Sequence, residues 1–220
     1  MRNYKLILFF ILFSVSFSNS EEIKIYRIGV EKPKIILISG IHGDEVAGVV
    51  LLKELLLKQF IPQKGSLIII PEANEAAVKE NKRTPYYMED LNRSFPGNDS
   101  HRSGKIAKAI FEIIEKENPS LILDFHESHF SYLDNSDSDI AIGNSIIIEE
   151  KSFSQLENLV LELDLNILNG SPKRSLNYEV NKQFNIPILT IETSKDEKLE
   201  ERKNKMKNIL MKCLRYLEME

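Results

Sequence analysis

The sequence predicts an α/β sandwich with a mostly parallel or mixed sheet, and three observations carry that expectation. Short, almost wholly apolar runs rich in β-branched residues stand at Ile35–Ile38, Ser66–Ile70, Leu121–Phe125 and Ile188–Ile191. They have the length and composition of buried strands. Longer stretches with apolar residues at helical spacing alternate with them, the pattern that places helices on a central sheet. Finally, His42, Glu45, His126 and Glu192 each stand at or just beyond the end of such a run. Ligand-binding loops of α/β sheets lie there.

In chain order, the first element is a leader. Arg2 and Lys5 precede an apolar run, Leu6–Phe17, that is too short for an ordinary membrane span and ends in Ser18-Asn19-Ser20. Residues 1–20 are therefore expected to be a signal peptide cleaved before Glu21, with an uncleaved anchor as the competing reading. Residues 21–220 are expected to form a single catalytic domain. Glu22–Val30 alternates apolar and polar residues and reads as an edge strand, broken by Lys32-Pro33. After the strand at Lys34–Ser39, the stretch Glu45–Gln59 carries Val46, Val49, Val50, Leu52, Leu55 and Leu56 on one wide helical face. Asp44 and Glu45 suit the positive end of that helix dipole.

Pro71 stops the strand at Ser66–Ile70, and a polar stretch with one helical turn runs to Pro85. Asp90–Gly97 is a loop by its Pro-Gly. His101–Glu117 is helical, with Ile106, Ile110, Ile113 and Ile114 on one face. The strand Leu121–Phe125 delivers His126-Glu127-Ser128. Ser131–Asp139 is polar and turn-rich, Ile146–Ile148 is strand-like, and Gln155–Leu165 is helical. Asn169–Lys173 reads as a turn, and Ser175–Asn185 is ambiguous, with a short helix favoured. The strand Ile188–Ile191 delivers Glu192. Leu199–Glu218, dense in Lys and Glu, reads as a solvated closing helix in which Cys213 is a small packing residue.

The bulk composition excludes several classes. At 42% hydrophobic and 28% charged, the 220 residues are ordinary globular protein. A formal charge of -4 gives no basic surface for nucleic acid. The single cysteine excludes an intramolecular disulfide framework and a four-cysteine zinc site. With the leader removed, no membrane span is expected. Oligomeric state has no signature in the chain.

The chemistry begins at Gly40-Ile41-His42-Gly43-Asp44-Glu45. A histidine and a glutamate three residues apart beyond a strand end can reach one metal ion, with Gly40 and Gly43 letting the backbone bend close to it. A surface loop with two polar residues has the same pattern. His126 is the third candidate ligand. Two histidines and a glutamate, with a fourth position open, are a ligand set of catalytic zinc. Asp124 or a backbone carbonyl could orient an imidazole. A hydrogen-bonded strand-end histidine is the alternative for His126, and His129 and His101 rank below it as ligands. Glu192 is a candidate general base, or else an ion-pair partner of Arg83, Arg93 or Arg174. Arg93, beside Asn92, offers a fork suited to a carboxylate, or else a loop pair with Asp90.

GIHGDEVAG, DLNRSFPG, DFHES and TIET, in that order, resemble the zinc carboxypeptidase superfamily, closest to its succinylglutamate desuccinylase/aspartoacylase branch. The resemblance implies a three-layer α/β/α sandwich whose mixed, mostly parallel sheet has about eight strands. It implies Zn2+ held by His42, Glu45 and His126, Glu192 as general base, and Asn92 and Arg93 gripping a substrate carboxylate. It makes Arg83 the counterpart of the arginine that polarises the scissile carbonyl. The carboxypeptidases also use a substrate-side tyrosine, for which Tyr178 is available without a supporting motif.

Two features depart from the branch. The chain stops one helix after Glu192, without a C-terminal β-rich domain, so the acyl side of the site is expected to be open. It also carries a leader. The expected protein is thus an exported, periplasmic or secreted zinc hydrolase that cleaves an amide bond next to a free carboxylate. Its substrate is a small peptide, cell-wall peptides included, or an N-acyl amino acid. The rival is a non-catalytic zinc-containing domain that binds carboxylates or peptides.

Overall fold

The computed structural model describes residues 11–16, 22–132 and 141–220. The rest of the expected leader, residue 21, residues 133–139 of the polar, turn-rich stretch and residue 140 lie outside them. Among the described residues an eight-stranded sheet runs in the order β1-β2-β4-β3-β5-β8-β6-β7. Its strands are β1 (Ile11–Ser16), β2 (Glu22–Ile28), β3 (Lys34–Ile38), β4 (Ser66–Ile70), β5 (Leu121–Ser128), β6 (Ser145–Ile148), β7 (Asn166–Asn169) and β8 (Ile188–Ser194). The central strands β4, β3, β5 and β8 are mutually parallel, while β1, β2 and β6 join antiparallel to their inner neighbours. This is the expected mixed sheet.

Helices α1 (Val46–Leu57), α4 (Glu150–Glu162) and α6 (Leu199–Tyr216) cover one face. The other carries α2 (Glu75–Glu80), α3 (Arg102–Glu117) and α5 (Leu176–Gln183). Strand alternation divides the core accordingly. Leu37, Leu123, Phe125, Leu189 and Ile191 pack under α1 and α6, whereas Ile36, Ile38, Ile122 and Ile188 pack under α3 and α5. No described helix is long and apolar enough to cross a membrane.

Four local expectations are corrected. β2 is not the edge, because Ile11–Ser16 pairs along it from Ile11 opposite Arg27 to Ser16 opposite Glu22. An extended apolar run satisfies the N–H and C=O groups that an edge leaves open. Asn169, expected to open a turn, instead ends a strand, Asn166–Asn169, that pairs in parallel with β6. Its four residues are too few to show a period. Helix α6 is not merely solvated, since Met206, Ile209, Leu210, Cys213 and Leu214 are buried against α1 and the sheet. On α1, Ala47, Gly48 and Leu51 are buried while Val46, Val50 and Leu56 are only half-buried. A helix apolar nearly all round does not announce which stripe faces the sheet.

Candidate metal centre and its cavity

The site lies at the C-terminal ends of β3, β5 and β8. Register places Asp124 beside Thr190 and His126 beside Glu192 on adjacent parallel strands. Since their neighbours Leu123, Phe125, Leu189 and Ile191 point to the α1–α6 core, these four point to the α5 side. His42 and Glu45 arrive from the turn after β3. Gly40 there has a φ of 69°, the left-handed region that suits glycine. Gly43 is required for another reason than approach to an ion: a Cβ there would stand 1.9 Å from the Ala77 carbonyl oxygen of α2.

His42, Glu45 and His126 are buried, and their ligand atoms lie within 4.8 Å of one another. Glu45 sits between the rings, with Oε1 2.7 Å from His42 Nδ1 and Oε2 2.8 Å from His126 Nδ1. The far nitrogens meet carboxylates as well: His42 Nε2 is 3.2 Å from Asp90 Oδ1, and His126 Nε2 is 3.1 Å from Asp124 Oδ2. An ionised carboxylate only accepts, so with a cation at the centre each Nε2–H donates outward to its aspartate and each Nδ1 lone pair turns inward. An arginine only donates, and Arg83 Nη1 lies 3.3 Å from His42 Nδ1, which agrees. Three acceptors this close repel unless positive charge stands among them. A metal ion, or a proton on each Nδ1, supplies it.

The electrostatics have the same sense. Burial alone would push the His126 imidazolium down, but Asp124 and Glu45 outweigh it and hold its pKa well above the usual value. His42 is raised likewise: burial is outweighed by Glu45 and Asp90. Burial would raise Glu45, yet the two imidazoles hold it well below the carboxylate range. The trio therefore fits a divalent cation.

Surrounding bonds brace Glu45. Its Oε2 accepts the Glu127 N–H at 3.2 Å. Glu127 in turn takes the Ala47 N–H at 2.9 Å and pairs with Arg202. The carboxylate at the start of α1 is thus Glu127 from β5. Glu45 makes no side-chain cap there, and Asp44 pairs with Lys195 at 2.7 Å.

Glu192 is buried beside His126, and burial pushes its carboxyl up to about 8 against the pull of that ring. Among the described residues it forms no ion pair with Arg83, Arg93 or Arg174. All of Arg83, Asn92, Arg93 and Glu192 line one cavity of about 350 Å³ with the trio. Arg83, not Arg93, pairs with Asp90, at 3.1 Å, and its other arm lies 3.6 Å from Glu45. Arg93 Nη1 donates to the Asn92 carbonyl at 2.8 Å. Asn92 Oδ1 accepts the Leu176 N–H at 3.0 Å, so Nδ2 is what Asn92 can offer a ligand.

The remaining candidates are sorted by position. His129 lines the cavity outside the trio. His101 caps α3, accepting the Gly104 N–H at 3.0 Å. Tyr178 lies under Lys182, its ring 5.9 Å from the ammonium, and is not among the described lining residues. Asp124 orients His126 as expected. Asp90, the matching partner of His42, was not singled out from the sequence; its position two residues before Asn92 in the same motif was the available signal. Asn177 and Thr190 were also missed. Asn177 Nδ2 donates to Thr190 Oγ1 at 2.9 Å, and that hydroxyl lies 3.5 Å from Asp124.

Residues 31–217 match the model of the succinylglutamate desuccinylase/aspartoacylase catalytic domain. A curated relative, the N-alpha-acetyl-L-2,4-diaminobutyric acid deacetylase of Halomonas elongata, is 34% identical over 99 residues, 44% of this chain and 29% of the relative. Among solved structures, tripeptide-bound cell shape determinant Csd4 of Helicobacter pylori superposes with a TM-score of 0.76 at 18% identity, covering 90% of this chain and 56% of Csd4. The product-bound ectoine utilization protein EutE (DoeB) of Ruegeria pomeroyi gives 0.75 at 19% identity, covering 96% of this chain and 68% of that one. At these identities the structures share the fold. The chain spans 29% of the curated relative and 56% of Csd4.

Proposed function

The chain belongs to the succinylglutamate desuccinylase/aspartoacylase catalytic-domain family, and from that premise we propose that it is a zinc-dependent hydrolase of an amide bond next to a free carboxylate. One observation carries the reading: the buried His42–Glu45–His126 trio, Glu192 beside it and the Asn92–Arg93 turn all line one cavity. The relatives agree in bond type. One is named a deacetylase, and Csd4 is described as a D,L-carboxypeptidase. Candidate substrates are peptides with a free C-terminus, cell-wall peptides included, and N-acyl amino acids.

His42, Glu45 and His126 would hold the zinc, a ligand set that leaves a position open. When bound, zinc supplies Lewis acidity toward a carbonyl oxygen and acidifies water. Glu192 takes the proton of the attacking water and returns it to the leaving nitrogen. It does so from its ionised form, which positive charge in the trio favours. Arg83, half-exposed over Glu45 and Asp90, aims its guanidinium at the developing oxyanion. Arg93 and the Asn92 amide hold the substrate carboxylate through charge-assisted bonds. Asp90 and Asp124 hold the Nε2 protons outward, so both imidazoles keep one tautomer.

The test is a series of peptides and N-acyl amino acids, each with a free or an amidated carboxyl group, given to zinc-loaded protein. Free acids should be hydrolysed and amides strongly disfavoured. Arg93→Lys should also lose rate, because one ammonium cannot reproduce the fork. Equal rates for acid and amide would remove the clamp, and binding without turnover would leave a carboxylate-binding domain.

We also propose export with loss of residues 1–20, supported by Arg2, Lys5, the run Leu6–Phe17 and the small residues that end it. Cleavage there would take β1 with the leader and leave β2 as the edge strand.

A further inference from the structure

The cavity walls differ in charge. At the α1–α6 side stand Asp44 and Lys195, paired at 2.7 Å. The opposite wall comes from β6, β7 and the loop into α5, with Ile147, Leu168, Pro172 and the backbone of Gly170. It adjoins the carboxylate clamp, since Asn92 Oδ1 accepts the Leu176 N–H at 3.0 Å. A carboxylate held by Arg93 would bring the amino acid's side chain next to this second wall.

The polar groups of that wall are already committed to one another. Asn177 Nδ2 donates to the Ile147 carbonyl at 3.0 Å and to Thr190 Oγ1, while Asn177 Oδ1 accepts from Asn181 at 2.9 Å. Thr190 turns to Asp124. Ser175 Oγ accepts the Tyr178 N–H, and the Ser171 N–H donates to Glu149 at 2.7 Å. Among the described residues, the Lys and Arg side chains lining the cavity are Arg83, Arg93 and Lys195. The first is bound to Asp90, the second is the clamp, and the third is bound to Asp44.

We infer that the released amino acid carries an uncharged, aliphatic side chain, and that the apolar wall of Ile147, Leu168 and Pro172 rejects a second carboxylate on it. Such a carboxylate would lose water and find every lining Lys and Arg side chain already engaged, with the Glu149 charge behind Ser171 opposing it. The inference rests on the carboxylate-clamping hydrolase reading above, and its test separates the two.

The zinc-loaded full chain is given N-acetyl-alanine, N-acetyl-leucine, N-acetyl-glutamate and N-acetyl-lysine, with the matching alanyl dipeptides, and kcat/KM is compared. Free leucine and free glutamate are titrated calorimetrically into the same protein, which reads the wall without turnover. Leucine should exceed glutamate in both measurements, by about a hundredfold in kcat/KM, as expected of an unpaired charge in a partly dry site. Leu168→Arg, placed on an edge strand, should shrink or reverse that ratio. Glutamyl substrates within about threefold of leucyl ones, glutamate binding as tightly as leucine, binding of neither, or an unchanged ratio in a folded Leu168→Arg protein would each overturn the inference. Leucine preference in binding without any hydrolysis would uphold the wall and remove the reaction alone.

Discussion

Asp124→Ala should weaken zinc binding by one to two orders of magnitude without unfolding the chain. Asp124 is buried, and its Oδ2 accepts from His126 Nε2 at 3.1 Å and lies 3.5 Å from Thr190 Oγ1. Removing a carboxylate that orients a metal-bound imidazole typically costs about 10- to 100-fold in metal affinity, or about 1.4 to 2.7 kcal/mol. Because zinc stabilises only the folded chain, the same loss appears in its zinc-dependent stabilisation. For a domain of this size that is a reduction of about 3 to 10 °C in the zinc-induced Tm shift. Asp124→Asn should fall between, since an amide oxygen can still accept from Nε2. Its Nδ2 would then occupy the place of Oδ1, which is buried without a hydrogen-bond partner among the described residues. The assay is competition with a chromophoric chelator, with thermal melts of metal-free protein as the check on folding. Zinc affinity of Asp124→Ala within about threefold of wild type, with the metal-free melt unchanged, would refute the argument that Asp124 fixes the His126 tautomer.

Glu192→Gln should retain zinc and fold yet lose about 100- to 10,000-fold in turnover of the best substrate; a near wild-type rate would make Glu192 structural. Glu117 accepts from Arg27 and Lys34 at 2.8 and 2.9 Å. Burial would raise its pKa, but those two cations outweigh it and hold it below the ordinary 4.5. A depressed folded pKa contributes stability above the unfolded value, lost as pH falls through the folded one. Glu117→Gln should therefore flatten the stability loss below about pH 4.5, measured by urea unfolding across pH, and an unchanged slope would count against the pair. Mass spectrometry of the native protein should find Glu21 at the N-terminus, whereas an intact Met1 would mean an anchor.

The parallel core was legible because burial on both faces leaves a plain trace. Ile35–Ile38 and Leu121–Phe125 are apolar throughout, as strands covered on two sides must be. His42, Glu45, His126 and Glu192 were legible because each interrupts or follows such a run, where a polar group has no packing reason to be. Asn166–Asn169 was not legible. Four residues with mostly exposed side chains carry no period, and only β6 alongside makes them a strand.

Composition and periodicity alone determined the class of the fold, the strands that build its centre and the residue types able to hold a metal. Those are local properties, since a side chain's hydrophobicity and its spacing from the next do not depend on distant partners. What only the tertiary structure decided is which groups face one another. Asp90 meets His42 across 48 residues and Glu45 meets His126 across 81. Glu127 replaces Glu45 as the carboxylate at the start of α1, and Arg83 rather than Arg93 takes Asp90. The Glu45–His126 and Glu127 pairings follow from the adjacency of β3, β5 and β8 and their register, and a one-residue slip would turn His126 away from the α5 side and into the α1–α6 core.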